Sequence, residues 1–166
     1  MKTKVHILLP DIRSAYNVGS IFRSADCFSV EKIYLHGTTP TPIDRFGRSN
    51  SGAQKEISKT ALGAEKDIPW EYITKIDKFL KIIKEENFTI VCIEQDKKSI
   101  TLENFLKIKK LEKIENILII FGNEIEGIEK DILKKTDYIV EIPMQGNKES
   151  LNVSVCAGLI MYILQG

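Results

Sequence analysis

The 166-residue sequence is poor in the residues that most often carry chemistry. Its three cysteines, Cys27, Cys92 and Cys156, lie far apart and show no ligand spacing. They read as small buried hydrophobes in a reducing compartment. Only two histidines occur, His6 in a predicted strand and His36 at a strand end. A histidine-based triad or metal site is therefore not expected, and no metal is assigned. No G-x-G-x-x-G follows the first strand and there is no Walker loop, which argues against a Rossmann dinucleotide fold or a standard glycine-rich methyltransferase loop. The longest apolar run is too short and too interrupted to span a bilayer. The N-terminal Met-Lys-Thr-Lys leads straight into a strand, with no signal peptide, so the expectation is a cytoplasmic protein without membrane contact. Net charge is nearly absent too, at +1. That balance neither demands nor excludes nucleic acid, and any RNA surface has to be a local patch.

What is present suits one domain over residues 1–166, with 43% hydrophobic and 28% charged residues. No internal repeat, low-complexity tract or domain boundary interrupts it. Compact apolar runs predict strands at 5–9, 32–35, 89–93 and 117–121, and a β-branched run predicts another from Tyr138 to Ile142. Helical spacing predicts helices over 18–28, 55–62, 70–86, 102–111 and 126–135. In the first of these Asn17 is the expected cap, and Ile21, Ala25 and Phe28 form the inner stripe. The last helix, through Val155 and Leu164, is apolar on nearly every side, which implies burial all round and hence a second subunit. Strands alternating with helices, most strands being continuous apolar runs, predict an α/β domain with a mostly parallel sheet covered on both faces.

In such sheets ligands bind outside the carboxyl ends of the strands. Three polar stretches fall there. Asn17-Val-Gly-Ser-Ile-Phe-Arg23 offers a helix N-terminus and a guanidinium to an anion. Phe121-Gly-Asn-Glu-Ile-Glu-Gly127 places two glycines around a turn, with Asn123 as N-cap and Glu126 reaching back. Ile142-Pro-Met-Gln-Gly146 precedes Ser150-Leu-Asn-Val-Ser154, where Ser150 caps the last helix or lies just inside it. A long loop, 37–54, is punctuated by glycine and proline and carries Arg45 and Arg48. A loop of that length in a compact domain is usually functional or mobile.

Taken together and in order, these three stretches resemble the signature motifs of the SpoU/TrmH family, RNA ribose 2′-O-methyltransferases of the SPOUT superfamily. The resemblance covers nearly the whole chain from Val5. It implies a C-terminal trefoil knot, an exception to the rule that chains are unknotted. It implies S-adenosylmethionine as cofactor, contacted at Gly122, Ile142 and Leu151, with Met144, Gly127, Ile93 and Glu94 beside them. It implies a homodimer whose interface covers the last helix and whose Arg23 reaches the partner's cofactor. Arg23 takes the central role in activating the ribose hydroxyl, by binding the adjacent phosphate and stabilising a developing alkoxide. Asn17 holds Arg23 or the ribose, Glu124 orients Arg23 or the motif loops, and Ser150 and Asn152 position the hydroxyl and the knot loop. Arg45 and Arg48 are expected on RNA phosphates. The additional N-terminal RNA-binding domain of many rRNA-modifying relatives has no counterpart here, so tRNA is the first expectation and rRNA the second. A non-catalytic knotted RNA-binding module and a flavodoxin-like nucleotide-binding domain are the alternatives from other classes.

Overall fold

The structure, a computed structural model, describes residues 3–50 and 52–165. Met1, Lys2, Ser51 and Gly166 lie outside the described residues. In chain order the elements are β1 (Lys4–Pro10), α1 (Ala15–Cys27), β2 (Lys32–His36), α2 (Gly52–Ala61), α3 (Ala64–Asp67), β3 (Trp70–Ile73) and α4 (Ile76–Glu85). They continue with β4 (Thr89–Ile93), β5 (Ile100–Thr101), α5 (Leu102–Glu112), β6 (Asn116–Phe121), α6 (Lys130–Leu133), β7 (Tyr138–Glu141) and α7 (Val153–Gln165). The seven strands form one sheet in the order β3-β2-β1-β6-β4-β7-β5. Every pairing is parallel. The mostly parallel α/β sheet expected from the apolar runs is therefore the architecture observed.

Alternation along the strands builds a core on each face. Val5, Ile7 and Leu9 of β1 and Ile117, Ile119 and Phe121 of β6 belong to one cluster, with Ile21 and Phe22 of α1, Ile57 of α2 and Ile160 of α7. Leu8 of β1 and Leu118 and Ile120 of β6 belong to the other, with Leu80 and Ile83 of α4. Strands buried on both faces need no polar side chain, which is why they are legible as unbroken apolar runs.

Several boundaries differ from expectation. The segment 70–86 is an edge strand followed by a helix, because Glu71 and Tyr72 face solvent while β3 pairs with β2. The helix expected over 126–135 shrinks to Lys130–Leu133. Before it, residue 127 takes φ +70° in a bridge between Asn123 and Gly127. Ser14, not Asn17, caps α1: its side chain accepts the Asn17 N–H at 3.2 Å. The inner stripe of α1 is Val18, Ile21, Phe22 and Ala25, with Phe28 only half-buried just past its end. Cys92 is buried and Cys156 half-buried, but Cys27 is exposed. No helix is long and apolar enough to cross a membrane among the described residues.

Within one chain the last helix buries one face and leaves another open. Val153, Ala157, Ile160, Met161 and Leu164 are buried. Val155, Leu159 and Tyr162 are 57%, 38% and 62% exposed, so one apolar face is left open in the single chain.

Candidate active site at the carboxyl edge

A pocket of about 300 Å³ opens where β4, β6 and β7 end. Ile93, Glu94 and Gln95 come from β4 and its exit, Phe121 to Ile125 and Gly127 from β6 and the turn after it, and Glu141, Ile142 and Met144 from the end of β7 and its exit. Glu149, Ser150 and Leu151 precede α7, whose Val153 and Cys156 close the wall. All seven positions expected at a cofactor, Ile93, Glu94, Gly122, Gly127, Ile142, Met144 and Leu151, line this one cavity. Glu124 and Ser150 line it too, whereas Asn17, Arg23 and Asn152 do not. The lining holds four carboxylates, Glu94, Glu124, Glu141 and Glu149, and no lysine or arginine.

Each wall is held by specific bonds. The Asn123 N–H donates to the Gly127 carbonyl and the Gly127 N–H to the Asn123 carbonyl, both at 3.0 Å. The Asn123 side-chain oxygen accepts from the Ile125 and Glu126 N–H groups at 2.8 and 3.2 Å. Its Nδ2 donates to the Asp11 carbonyl at 2.8 Å. Asn123 thus does not cap a helix. It closes the turn on itself and fastens it to the end of β1. Glu94 Oε2 accepts the Ile128 N–H at 3.0 Å. A Cβ on Gly127 would lie 2.4 Å from that oxygen, at a φ that side chains rarely adopt, so only glycine lets the carboxylate reach the turn. Gln95 Nε2 donates to the Glu149 carbonyl at 2.6 Å and joins the end of β4 to the loop before α7.

The three motifs meet through side chains far apart in sequence. Asn17 Nδ2 donates to Glu124 Oε1 at 2.7 Å, and Asn152 Nδ2 donates to Asn17 Oδ1 at 3.2 Å. Because Ser14 takes the cap, the Asn17 amide is left for this bridge. Of the partners expected for Glu124, Arg23 is not the one it meets. Arg23 is exposed on α1 and has no ion pair among the described residues. Asn152 Oδ1 accepts from the Ser154 N–H at 2.8 Å and from its hydroxyl at 2.7 Å, and Ser150 lies ahead of α7 rather than within it. Asn152 therefore does the capping expected of Ser150. Gly19 of the first motif serves packing. A Cβ there would stand 2.1 Å from Thr60 Oγ1 and 2.3 Å from the Ile57 carbonyl of α2.

Burial, then the nearby Glu94 carboxylate, pushes the Cys156 thiol up to about 11. It remains a neutral thiol at ordinary pH and is no nucleophile. Among the described residues no cluster of His, Cys, Asp or Glu is suited to a metal ion.

Two residues went unnoticed in the sequence. Asp11, beyond β1, accepts from the Thr38 N–H at 2.8 Å and from its hydroxyl at 3.0 Å. With its carbonyl on Asn123, it ties the pocket turn to the start of the long loop. Its sequence signal, a Pro-Asp pair, marks only a strand end. The other is Phe46, 66% exposed between Arg45 and Arg48. Both guanidiniums lie over its ring, at 4.7 and 5.0 Å from the centroid. Arg48 also pairs with Asp44 at 2.8 Å, so part of the charge expected for RNA is engaged within the loop.

Known proteins are similar to this chain in sequence and in fold. The model of the SpoU rRNA Methylase family matches residues 4–162. A protein of Borreliella burgdorferi described as an uncharacterized tRNA/rRNA methyltransferase is 30% identical over 156 residues, 94% of this chain and 61% of that protein. The 23S rRNA (guanosine-2′-O-)-methyltransferase RlmB of Coxiella burnetii is 26% identical over 159 residues, 96% of this chain and 57% of RlmB. The chain thus spans about three fifths of the length of these curated relatives. The fold is similar to that of the SpoU methyltransferase AviRb of Streptomyces viridochromogenes, solved with AdoMet, at a TM-score of 0.78 and 20% identity, over 99% of this chain and 60% of AviRb. Since the family model runs through all three motifs and nearly end to end, the chain belongs to the SpoU rRNA Methylase family.

Proposed function

We propose that this protein is an S-adenosylmethionine-dependent RNA methyltransferase that modifies a ribose 2′-hydroxyl, with tRNA as its substrate. The observation that carries the reading is the convergence of the seven expected cofactor positions, from three separate strand ends, on one pocket. Its size lies at the lower end of the range for small-molecule sites. Its lining fits the cofactor: Ile142, Met144 and Leu151 suit a flat apolar ring, and four carboxylates without a basic neighbour suit a cationic group. S-adenosylmethionine, when bound, supplies an electrophilic methyl carbon on a sulfonium.

The residues of the chain do the rest. A ribose hydroxyl is a poor nucleophile and must shed its proton as it reacts. A guanidinium offers five N–H donors and no acceptor, so Arg23 is suited to holding an anion and not to taking a proton. It serves by binding the neighbouring phosphate and stabilising the developing alkoxide, not as a base. Asn17, held by Glu124 and Asn152, locks the start of α1 to the motif loops and so sets where Arg23 stands. Ser150 at the pocket wall positions the hydroxyl.

Arg23 is exposed, with no ion pair among the described residues, and α7 leaves Val155, Leu159 and Tyr162 open. Both support a homodimer in which Arg23 serves the partner's pocket. The packing of α7 on α1 and the meeting of the 122–128 turn with the 142–152 segment at one pocket support the expected trefoil knot. The likeness to RlmB carries a second reading, in which the substrate is rRNA.

The deciding experiment is incubation with labelled S-adenosylmethionine and separate pools of unmodified tRNA and rRNA, followed by nucleoside mass spectrometry. A ribose-methylated nucleoside from tRNA is expected. Label in rRNA alone selects the second reading, and a base-methylated nucleoside refutes both.

A further inference from the structure

The pocket that would hold the cofactor repels phosphates, because its lining is acidic. An RNA substrate must therefore be gripped elsewhere along the carboxyl edge. The loop that leaves β2 starts at that edge and is tied to the pocket turn through Asp11. Its tip is an ordered turn. The Asp44 N–H donates to the Arg48 carbonyl and the Gly47 N–H to the Asp44 carbonyl, both at 2.9 Å. Asp44 Oδ1 accepts the Phe46 and Arg48 N–H groups at 2.8 and 2.9 Å.

A lone exposed aromatic side chain is ordinary and needs no explanation. Phe46 is a different case, because a closed turn holds it out at 66% exposure with two guanidiniums on its ring. Arg48 is held by Asp44. Arg45 has no ion pair among the described residues and can exchange the ring for a phosphate. An aromatic face with cationic flanks is what an unpaired nucleobase and its backbone require: the base stacks and the phosphate pairs.

We propose that Phe46 is a stacking platform for an unpaired base of the RNA substrate, with Arg45 on the adjoining phosphate. This rests on the reading that the substrate is RNA. It adds a specificity element, since duplex RNA presents no free base face to the platform.

The test is equilibrium binding of an unmodified tRNA transcript and a blunt RNA duplex over a range of salt. The proteins are the wild type and the variants Phe46→Ala, Phe46→Trp and Arg45→Ala. Phe46→Ala should weaken tRNA binding by about five- to a hundredfold, the value of one stacked base. It should leave the log–log salt slope and duplex binding unchanged. Phe46→Trp should bind tRNA as the wild type does. Arg45→Ala should flatten the tRNA slope by about one unit. Equal tRNA affinity for Phe46→Ala and wild type, with methyl transfer intact, overturns the platform alone. So does an effect of Phe46→Ala on oligomeric mass instead of RNA affinity, which would assign the aromatic to a second copy of the chain. A wild-type protein that neither binds nor methylates RNA overturns the functional reading, and this one with it.

Discussion

Arg23 is the residue whose chemistry and structural role separate most cleanly. It lies off the buried stripe of α1 and has no ion pair among the described residues. Arg23→Ala should therefore change stability by within about 0.5 kcal/mol. Single-turnover methyl transfer should fall by roughly a hundredfold to a thousandfold, the usual cost of losing a preorganised donor to a developing oxyanion. Arg23→Lys should recover little, because a compact ammonium does not reproduce the planar two-pronged contact. S-adenosylmethionine affinity, measured by calorimetry, should persist in both variants, since the cofactor contacts expected from the motifs come from the strand ends of β4, β6 and β7 and not from α1. A wild-type rate for Arg23→Ala would reduce α1 to a scaffold. Asn17 shows the limit of reading one residue by its sequence alone. Its position before an apolar run is that of a cap, but Ser14 three residues earlier caps instead, and the amide turns to Glu124 and Asn152.

At the scale of elements, α7 asks for a partner. Its buried face packs against α1, while Val155, Leu159 and Tyr162 at helical spacing form a second apolar stripe open to water. Phe28, just past the end of α1, continues that surface, its ring 5.7 Å from that of Tyr162. Apolar side chains aligned in this way are stabilised by mutual burial between subunits. Light scattering at micromolar concentration should give twice the 18.9 kDa chain mass. Val155→Glu combined with Tyr162→Glu should give a monomer with an unchanged circular-dichroism spectrum. Methyl transfer by that monomer at the wild-type rate would refute the shared site. The apolar character of α7 was plain in the sequence. Its outer stripe was not distinguishable there from its inner one, because both are apolar and only docking on α1 tells them apart.

The whole molecule carries a built-in sensitivity to acid. His6 on β1 is 7% exposed, and its ring lies 4.5 Å from that of Phe88. Burial, and then Lys4, lower its pKa from 6.5 to about 4, against the opposing pull of Glu31. The folded protein thus keeps the ring neutral, whereas the unfolded chain protonates it near 6.5. Its contribution is complete above the unfolded value and is lost as pH falls from 6.5 towards 4. Allowing for solvent screening of the exposed Lys4 and Glu31 beside it, the loss is on the order of 2 kcal/mol. Urea unfolding at pH 7 and pH 4.5 should show a steeper decline for wild type than for His6→Gln, the variant cancelling the carboxylates common to both. Equal declines would show that the ring is solvated.

Five strands and the parallel sheet were readable because they rest on local rules, whereas the seven positions expected at a cofactor came from the resemblance of the motifs. A strand buried on both faces must be apolar, and a turn beside a ligand needs glycine where a side chain would collide, as at Gly127. Other features escaped because no local rule marks them. The edge strand β3 leaves both Glu71 and Tyr72 exposed, so it shows no two-residue alternation and merges with the spacing of α4. Two-residue β5 is too short to leave a pattern. The bond between Asn17 and Glu124 spans 107 residues, and that between Asn152 and Asn17 spans 135. Both depend on β1, β6, β4 and β7 lying in that order, which chain order does not dictate. Residue types and spacing are properties of neighbours along the chain, so burial and turns were written locally. Which motif faces which is a property of neighbours across the sheet, and it came into being only when the strands were paired.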